Sequence, residues 1–296
     1  MVKYKKSIGD VIFDIVNYTI MLILLFVCVY PFWYVFIYSI SDPAQATHGL
    51  TFWPKGLTTS NYKEVLMLKD IFPALGVSIA RTVIGTVIHV VVSMFLGYLF
   101  TKPMYGRKFF YRMLVITMYV SGGVIPTYLV YMWYGLTNTF WVYVIPGAVG
   151  AYNIILCKTF VENLPESLEE SAFLDGAGYM TIFAKIVMPL SKAIIATITV
   201  FSCVGQWNAW TDNHIYNVDE RLNTLQYILW KYLTESQRLQ QIIQETGDMS
   251  MMEDFQFTPM AVRMTITMLV MIPILCVYPY MQKHFVKGVM VGAIKG

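Results

Sequence analysis

The sequence predicts an all-α, polytopic membrane protein, and three observations carry that prediction. Over 296 residues the chain is 57% hydrophobic and only 13% charged, against about 45–50% and about 25% in soluble domains. Its mean hydropathy is +0.56. Apolar runs of membrane length also recur along the chain. A helix needs about 20 mostly apolar residues to cross the hydrocarbon core, and six runs meet that length: 13–40, 76–101, 113–134, 139–160, 190–209 and 261–281.

The elements follow in order. Residues 1–12 form a basic N-terminus with Lys3, Lys5 and Lys6. The first apolar run, Val11 to Ile40, is far longer than a signal-peptide core and lacks a small-residue cleavage site, so it reads as a retained first span. With the N-terminus inside, the cytoplasmic segments are 1–12, 102–112, 158–192 and 282–296, and these hold thirteen of the 21 Lys and Arg. Excess Lys and Arg on the cytoplasmic side sets the orientation, and both termini are expected there. Two loops then face out. One, 41–75, carries Pro43, Pro54 and Gly56; the other, 210–260, is too long to be structureless and is expected to hold short helices at 222–234 and 235–246. The fifth span is the weakest, with Pro189 at its start and Trp207-Asn208 at its end.

The second span carries Arg81, Gly85, His89, Ser93, Gly97 and Thr101, each four apart and so close to one helix face. Small residues there let helices approach closely. Ionisable groups within a span face the interior or water as a rule, which makes Arg81 and His89 candidates to line a path. Arg81 could instead snorkel to the external surface, and His89 could simply bond another helix. Aromatic rings with polar tips offer flat amphipathic surfaces, so Tyr119 and Tyr128 in the third span join the candidates. Tyr131, Trp133 and Tyr134 read as interface-belt residues. Asn153, Trp207 and Asn208 are further polar groups that could line the cavity.

One polar stretch interrupts the apolar pattern at mid-chain: Glu169-Glu170-Ser171-Ala172-Phe173-Leu174-Asp175-Gly176-Ala177, followed by Ile186-Val187-Met188-Pro189. Pro165 opens a short helix whose first turns hold Glu166, Glu169 and Glu170, carboxylates suited to the positive helix end. Gly176 and Gly178 break it. An amphipathic stretch from Met180 to Val187 leads to Pro189, at the first turn of the next helix, where a missing amide is cheap. On pattern alone this is a helix lying on the membrane surface.

The residues resemble something more specific. Glu170-Ser171-Ala172, Gly176, Ile186 and Met188-Pro189 are similar to the EAA loop of ABC-importer permeases: Glu-Ala-Ala, three residues, Gly, nine residues, Ile, one residue, Leu-Pro. Ser171 stands for the first Ala and Met188 for the Leu, and Asp175 precedes the Gly as in sugar permeases. The run Ser121 to Leu129 and the turn Gly135-Leu136-Thr137-Asn138-Thr139 look like the third span of carbohydrate permeases. Val204-Gly205-Gln206-Trp207-Asn208 resembles a Val-Gly-His-Trp-Asn signature of the lipoprotein-locus branch, with Gln206 for His, and the tail from Phe285 to Gly296 resembles the family ending.

The resemblance implies the type I importer (MetI-like) fold: a single transmembrane domain over 13–296, with a cytoplasmic coupling helix in the loop 165–189. It implies a heterodimer with a second, different permease, two cytoplasmic ATPase subunits, and an extracellular solute-binding protein that delivers an oligosaccharide across the lipid bilayer. ATP and Mg would belong to the ATPase partners, and no cofactor to this chain. Glu169, Glu170, Ser171, Ala172, Asp175, Gly176, Ile186 and Pro189 would couple to the ATPase, and Lys295 and Gly296 would reach it from the tail. Arg81, Arg263 and His89 suggest a uronate-containing sugar by their sign.

Other classes fit less well. There is no Gly-x-x-x-x-Gly-Lys-Ser/Thr loop and no His-Glu-x-x-His, so neither a nucleotide site nor a zinc enzyme is indicated. A secondary transporter would favour internal repeats and acids deep in the spans. Cys28, Cys157, Cys203 and Cys276 lie in apolar runs with no metal spacing. Beyond the N-terminal lysines there is no basic block, so nucleic-acid binding is not expected.

Overall fold

The computed structural model describes residues 7–42, 45, 52–246, 260 and 263–275. Among the described residues every regular element is helical, apart from an isolated bridge between Ser41 and Leu57. The chain divides into two compact units, one built on residues up to Leu68 with Tyr232–Met271, the other on Lys69–Lys231 and the chain from Ile272.

In the first unit, α1 (Ile8–Ser39) opens with Asp10 in its first turn, whose carboxylate accepts from the Ser7 amide at 2.8 Å. Its side chains are exposed along most of its length and buried only at Ile37, Tyr38 and Ser39. Exposure of so apolar a helix suits a lipid or protein surround. In α2 (Ser60–Met67), the buried Asn61 donates through Nδ2 to the carbonyls of Ser39 and Ser41, at 3.0 and 2.9 Å, and satisfies the end of α1.

The second unit is organised around α3 (Ile71–Leu99), which packs on the helices that follow. Two of its glycines lie at close approaches to neighbouring helices. A Cβ at Gly97 would lie 2.6 Å from Cys157 Cβ and 2.9 Å from the Lys158 amide; one at Gly85 would lie 2.7 Å from the Gln206 amide nitrogen. The small-residue stripe is therefore a packing seam.

The expected third span is not one helix. It divides into α4 (Arg107–Ile116) and α5 (Val124–Trp133), because Ser121-Gly122-Gly123 intervenes and Gly123 sits at φ +78°. The fourth is likewise interrupted. Short 3₁₀ turns at Phe140–Tyr143 and Pro146–Ala148 precede α6 (Ala151–Glu162), and the two parts meet at 43°. Pro146 supplies no amide to continue the helix.

The polar loop folds into α7 (Glu166–Leu174) and α8 (Tyr179–Ile182), then a π-helical turn at Phe183–Val187 and α9 (Met188–Leu190). After a bend of 81° at Ser191 the chain continues as α10 (Lys192–Asn208). The segment after α10 contains α11 (Thr211–Tyr216), a 3₁₀ turn at Glu220–Leu222 and α12 (Leu225–Thr246). The two short helices expected at 222–234 and 235–246 are thus one continuous helix: neither Gly nor Pro interrupts the sequence there. The sixth apolar run is described as α13 (Arg263–Leu275), and its remainder lies outside the described residues.

Among the described residues two helices, α1 and α3, are long and apolar enough to cross a membrane; the bent pairs Phe140–Ala148 with α6, and Tyr179–Leu190 with α10, bring the number to four. The core gathers at one end of α3. Val90, Met94 and Tyr98 meet Cys157 and Val161 of α6, Ala172 of α7, Ile182 and Phe183, and Ile198 of α10.

Candidate functional site

Two places in the second unit concentrate the chemistry singled out in the sequence. The first is α7 and its turn. Pro165 precedes the helix, and Glu166 and Glu169 occupy its first turn. Gly176 ends it at φ +79°, with the Ala177 amide donating to the Ala172 carbonyl and the Gly176 amide to the Phe173 carbonyl. These are the two bonds of a Schellman cap, and the left-handed position they demand is why glycine stands there. A Cβ at Gly176 would touch nothing, so its requirement is conformational alone.

The helix is anchored on one side and bare on the other. Ala172 is buried in the core cluster, Ile186 is packed against it, and Glu169 forms an ion pair with Lys102, which follows the end of α3. Lys102 also lies over the Tyr98 ring at 4.7 Å. Glu170, Ser171, Asp175, Gly176 and Pro189 are exposed. Leu174 is 89% exposed, and Phe173, Tyr179 and Met180 are exposed beside it, with the Phe173 and Tyr179 rings edge to face at 5.1 Å. The eight coupling candidates therefore separate into anchors (Glu169, Ala172, Ile186) and a presented surface. The tail residues Lys295 and Gly296 lie outside the described residues.

The second place is a cavity of about 320 Å³ lined by Arg81, His89, Tyr131, Asn153, Gln206, Asp212 and neighbours. Three of the seven path candidates, Arg81, His89 and Asn153, meet here. Arg81 is 2% exposed, so its guanidinium faces inward and does not snorkel. Its Nε and Nη2 donate to Gln206 Oε1 at 3.2 and 3.1 Å. Nη1 donates to the Ala209 carbonyl at 3.2 Å and to Asp212 Oδ1 at 3.1 Å, and Nη2 to Asp212 Oδ2 at 2.5 Å. These five bonds use all five N–H groups of the fork. The guanidinium also lies 4.5 Å from the Tyr143 ring centroid. The Tyr143 hydroxyl donates to the Leu222 carbonyl at 2.7 Å.

His89 sits where the fourth span breaks. Its Nδ1 lies 2.8 Å from the Gly147 carbonyl, and its Nε2 lies 2.7 Å from Asn153 Nδ2. A carbonyl only accepts, so Nδ1 carries the proton and Nε2 accepts from the Asn153 amide. The ring approaches so closely that a Cβ at Gly150 would lie 2.6 Å from its Cε1. The Oδ1 of Asn153 has no protein partner. Tyr216 also lines the cavity. Burial first, then the neighbouring Asp212 carboxylate, pushes the Tyr216 phenol up from its ordinary value, so it stays a donor.

The remaining path candidates stand apart from the lining. Tyr128 stacks on Tyr216 at 6.1 Å, while Tyr119 is 83% exposed. Trp207 is buried in packing, and Asn208 is exposed. Asp212, Gln206 and Tyr143 were not singled out as path residues. Gln206 carried a signal, since it stands where the branch signature has His; Asp212 carried none, because it falls in the external segment of the sequence pattern.

Residues 89–211 match the family model described as "Binding-protein-dependent transport system inner membrane component". The chain is 35% identical to the polygalacturonan/rhamnogalacturonan transport system permease protein YtcP of Bacillus subtilis (strain 168), over 96% of this chain and 99% of that one. It is 34% identical to protein LplC of the same organism, over 91% and 90%. Among solved structures, it resembles a chain of a bacterial ABC transporter involved in the import of the acidic polysaccharide alginate, with a TM-score of 0.85, 30% identity, and coverage of 96% of this chain and 100% of that chain.

Proposed function

The chain belongs to the carbohydrate ABC transporter permeases, inner-membrane components of binding-protein-dependent import, and from that premise we propose that it forms half of the path for an oligosaccharide. The sugar is a fragment of an acidic polysaccharide, delivered by an extracellular solute-binding protein. A second, different permease supplies the other half, and two cytoplasmic ATPase subunits hydrolyse ATP with Mg. Both termini lie in the cytoplasm, and Lys295 and Gly296 contact the ATPase. The acidic substrate class is supported by two likenesses, to a polygalacturonan/rhamnogalacturonan permease and to an alginate importer.

The observation that carries the coupling role is the division of α7 between a fixed base and a bare apolar tip. Ala172 is in the core and Glu169 is held by Lys102, while Leu174 and its aromatic neighbours are exposed. Such a rim on a short, anchored helix suits insertion into a cleft of a partner, where the buried anchor residues of an interface supply most of the affinity. Motion of the partner then passes to α10 through the helical stretch from Tyr179 to Leu190 and the bend at Ser191.

Reconstitution in vesicles tests both parts. Uptake of tri-galacturonate is expected only with ATP and the ATPase subunits present. Leu174→Asp, at a position with almost no contact in this chain, is expected to leave the melting temperature unchanged and to abolish ATP-driven uptake. Uptake on a proton gradient without ATP would overturn the importer reading, and full activity of Leu174→Asp would overturn the docking role.

A further inference from the structure

The cavity contains a cation with no donor to spare. A conduit lined by a free, buried guanidinium would bind a passing carboxylate bidentately in a site of low dielectric, where charge-assisted hydrogen bonds are strongest. Conduction needs sites favourable enough to enter and weak enough to leave. Arg81 has the burial of a tight site, at 2% exposed, yet Asp212 occupies one edge of its fork with both carboxylate oxygens, and Gln206 and the Ala209 carbonyl take the rest.

The two kinds of partner differ. Gln206 belongs to the last turn of α10 and Ala209 follows its end, and Tyr143 backs the guanidinium from another segment. These hold Arg81 in place independently of its anion. Asp212 stands on the short helix α11, and its side chain is 24% exposed, while that of Arg81 is 2% exposed. Of the partners of the guanidinium named here, it is the one that carries a charge. Asp212 also presents to Arg81 the same two oxygens that a uronate carboxylate would.

We propose that Asp212 tunes substrate release: it keeps Arg81 neutralised, so that an acidic sugar passes through the cavity by brief exchange and is not trapped. Asp212 acts through Arg81 and is therefore a positioning residue. The proposal rests on the acidic-oligosaccharide reading above and adds the residue that makes such a substrate transportable.

The test compares two probes in the complete reconstituted transporter: tri-galacturonate, and the same trisaccharide with its carboxyls methyl-esterified. The quantity read is the ratio of their maximal uptake rates, which a general loss of folding or assembly does not move. Asp212→Asn is expected to lower the acidic-to-neutral ratio about tenfold, the effect of one charge-assisted hydrogen bond. Arg81→Gln combined with Asp212→Asn is expected to restore the ratio, because no free cation remains. Asp212→Glu is expected to keep it near the wild-type value. Should Asp212→Asn fail to assemble, Gln206→Ala, which frees two of the donors, is expected to lower the ratio in the same direction by a smaller factor. An unchanged or raised ratio in Asp212→Asn, or in Gln206→Ala where that is the variant measured, would overturn the proposal. If the wild-type transporter takes up the ester but not the acid, the acidic-substrate reading fails, and this one with it.

Discussion

The α7 turn and the Arg81 cavity lie in the same unit and solve opposite problems. At α7 the charge sits at the base, where Glu169 pairs with Lys102 beyond the end of α3, and the apolar side chains Phe173, Leu174 and Met180 are left outside. In the cavity the charge is inside and fully paired, by partners 125 to 131 residues away in sequence. A surface that must receive a partner leaves apolar area uncovered, because burial on docking is its driving force. On the reading proposed above, a passage that must release its cargo keeps its own charges paired. The comparison predicts that damage to the cavity falls on stability, and damage to α7 falls on coupling.

The largest effect is expected in the cavity. Arg81→Leu leaves the Asp212 carboxylate without its cation; removing one partner of a fully buried pair costs roughly 3–5 kcal/mol, and because Asp212 is 24% exposed the loss here is expected to be at most about 3 kcal/mol. A drop in the melting temperature of the detergent-purified transporter checks this. Replacing both partners, as Arg81→Leu with Asp212→Leu, is expected to recover most of the loss, since apolar substitutes for a whole buried pair are often tolerated. Equal losses in the single and double variants would break the comparison, since the pair would then not be what holds the site together.

The same contrast explains what was legible in the sequence. The α7 loop was readable because its determinants are local: Pro165 before the helix, acids in its first turn, and a glycine where the cap needs a left-handed residue. The packing seam of α3 was readable from its spacing, and Arg81 and His89 faced inward as ionisable groups in a span are expected to. The cavity itself was not. Asp212 lies beyond the end of α10, and only the folded chain brings it to Arg81. The breaks in the third and fourth spans were also missed, although Gly122-Gly123 and Pro146-Gly147 mark them. An apolar run long enough to cross a membrane masks an internal break, which is tolerated where backbone groups find partners; the Gly147 carbonyl finds His89.

A smaller effect is expected at the cap of α7. Gly176→Ala forces a side chain into the left-handed region at φ +79°, at about 1 kcal/mol. No neighbour lies within reach of the added methyl, so the cost is one of backbone conformation. The tip formed by Phe173, Leu174 and Tyr179 is expected to shift, and the ratio of sugar transported to ATP hydrolysed to fall, while the overall melting temperature moves little. A large loss of stability with coupling intact would reverse the assignment of the two regions.

The smallest effect sharpens the comparison most. Lys102 and Glu169 are 16% and 22% exposed, so their ion pair is part-way between a surface pair and a buried one. A pair of that kind is worth at most about 1 kcal/mol. Lys102→Gln therefore leaves global stability nearly unchanged, because Ala172 still holds α7 to the core. What it removes is the link between the base of α7 and the end of α3. Hydrogen exchange is expected to quicken over residues 166–174 and to stay constant over α3. If exchange stays constant in α7 as well, Ala172 and Ile186 alone fix the helix, and Glu169 belongs with the presented surface instead of the anchor.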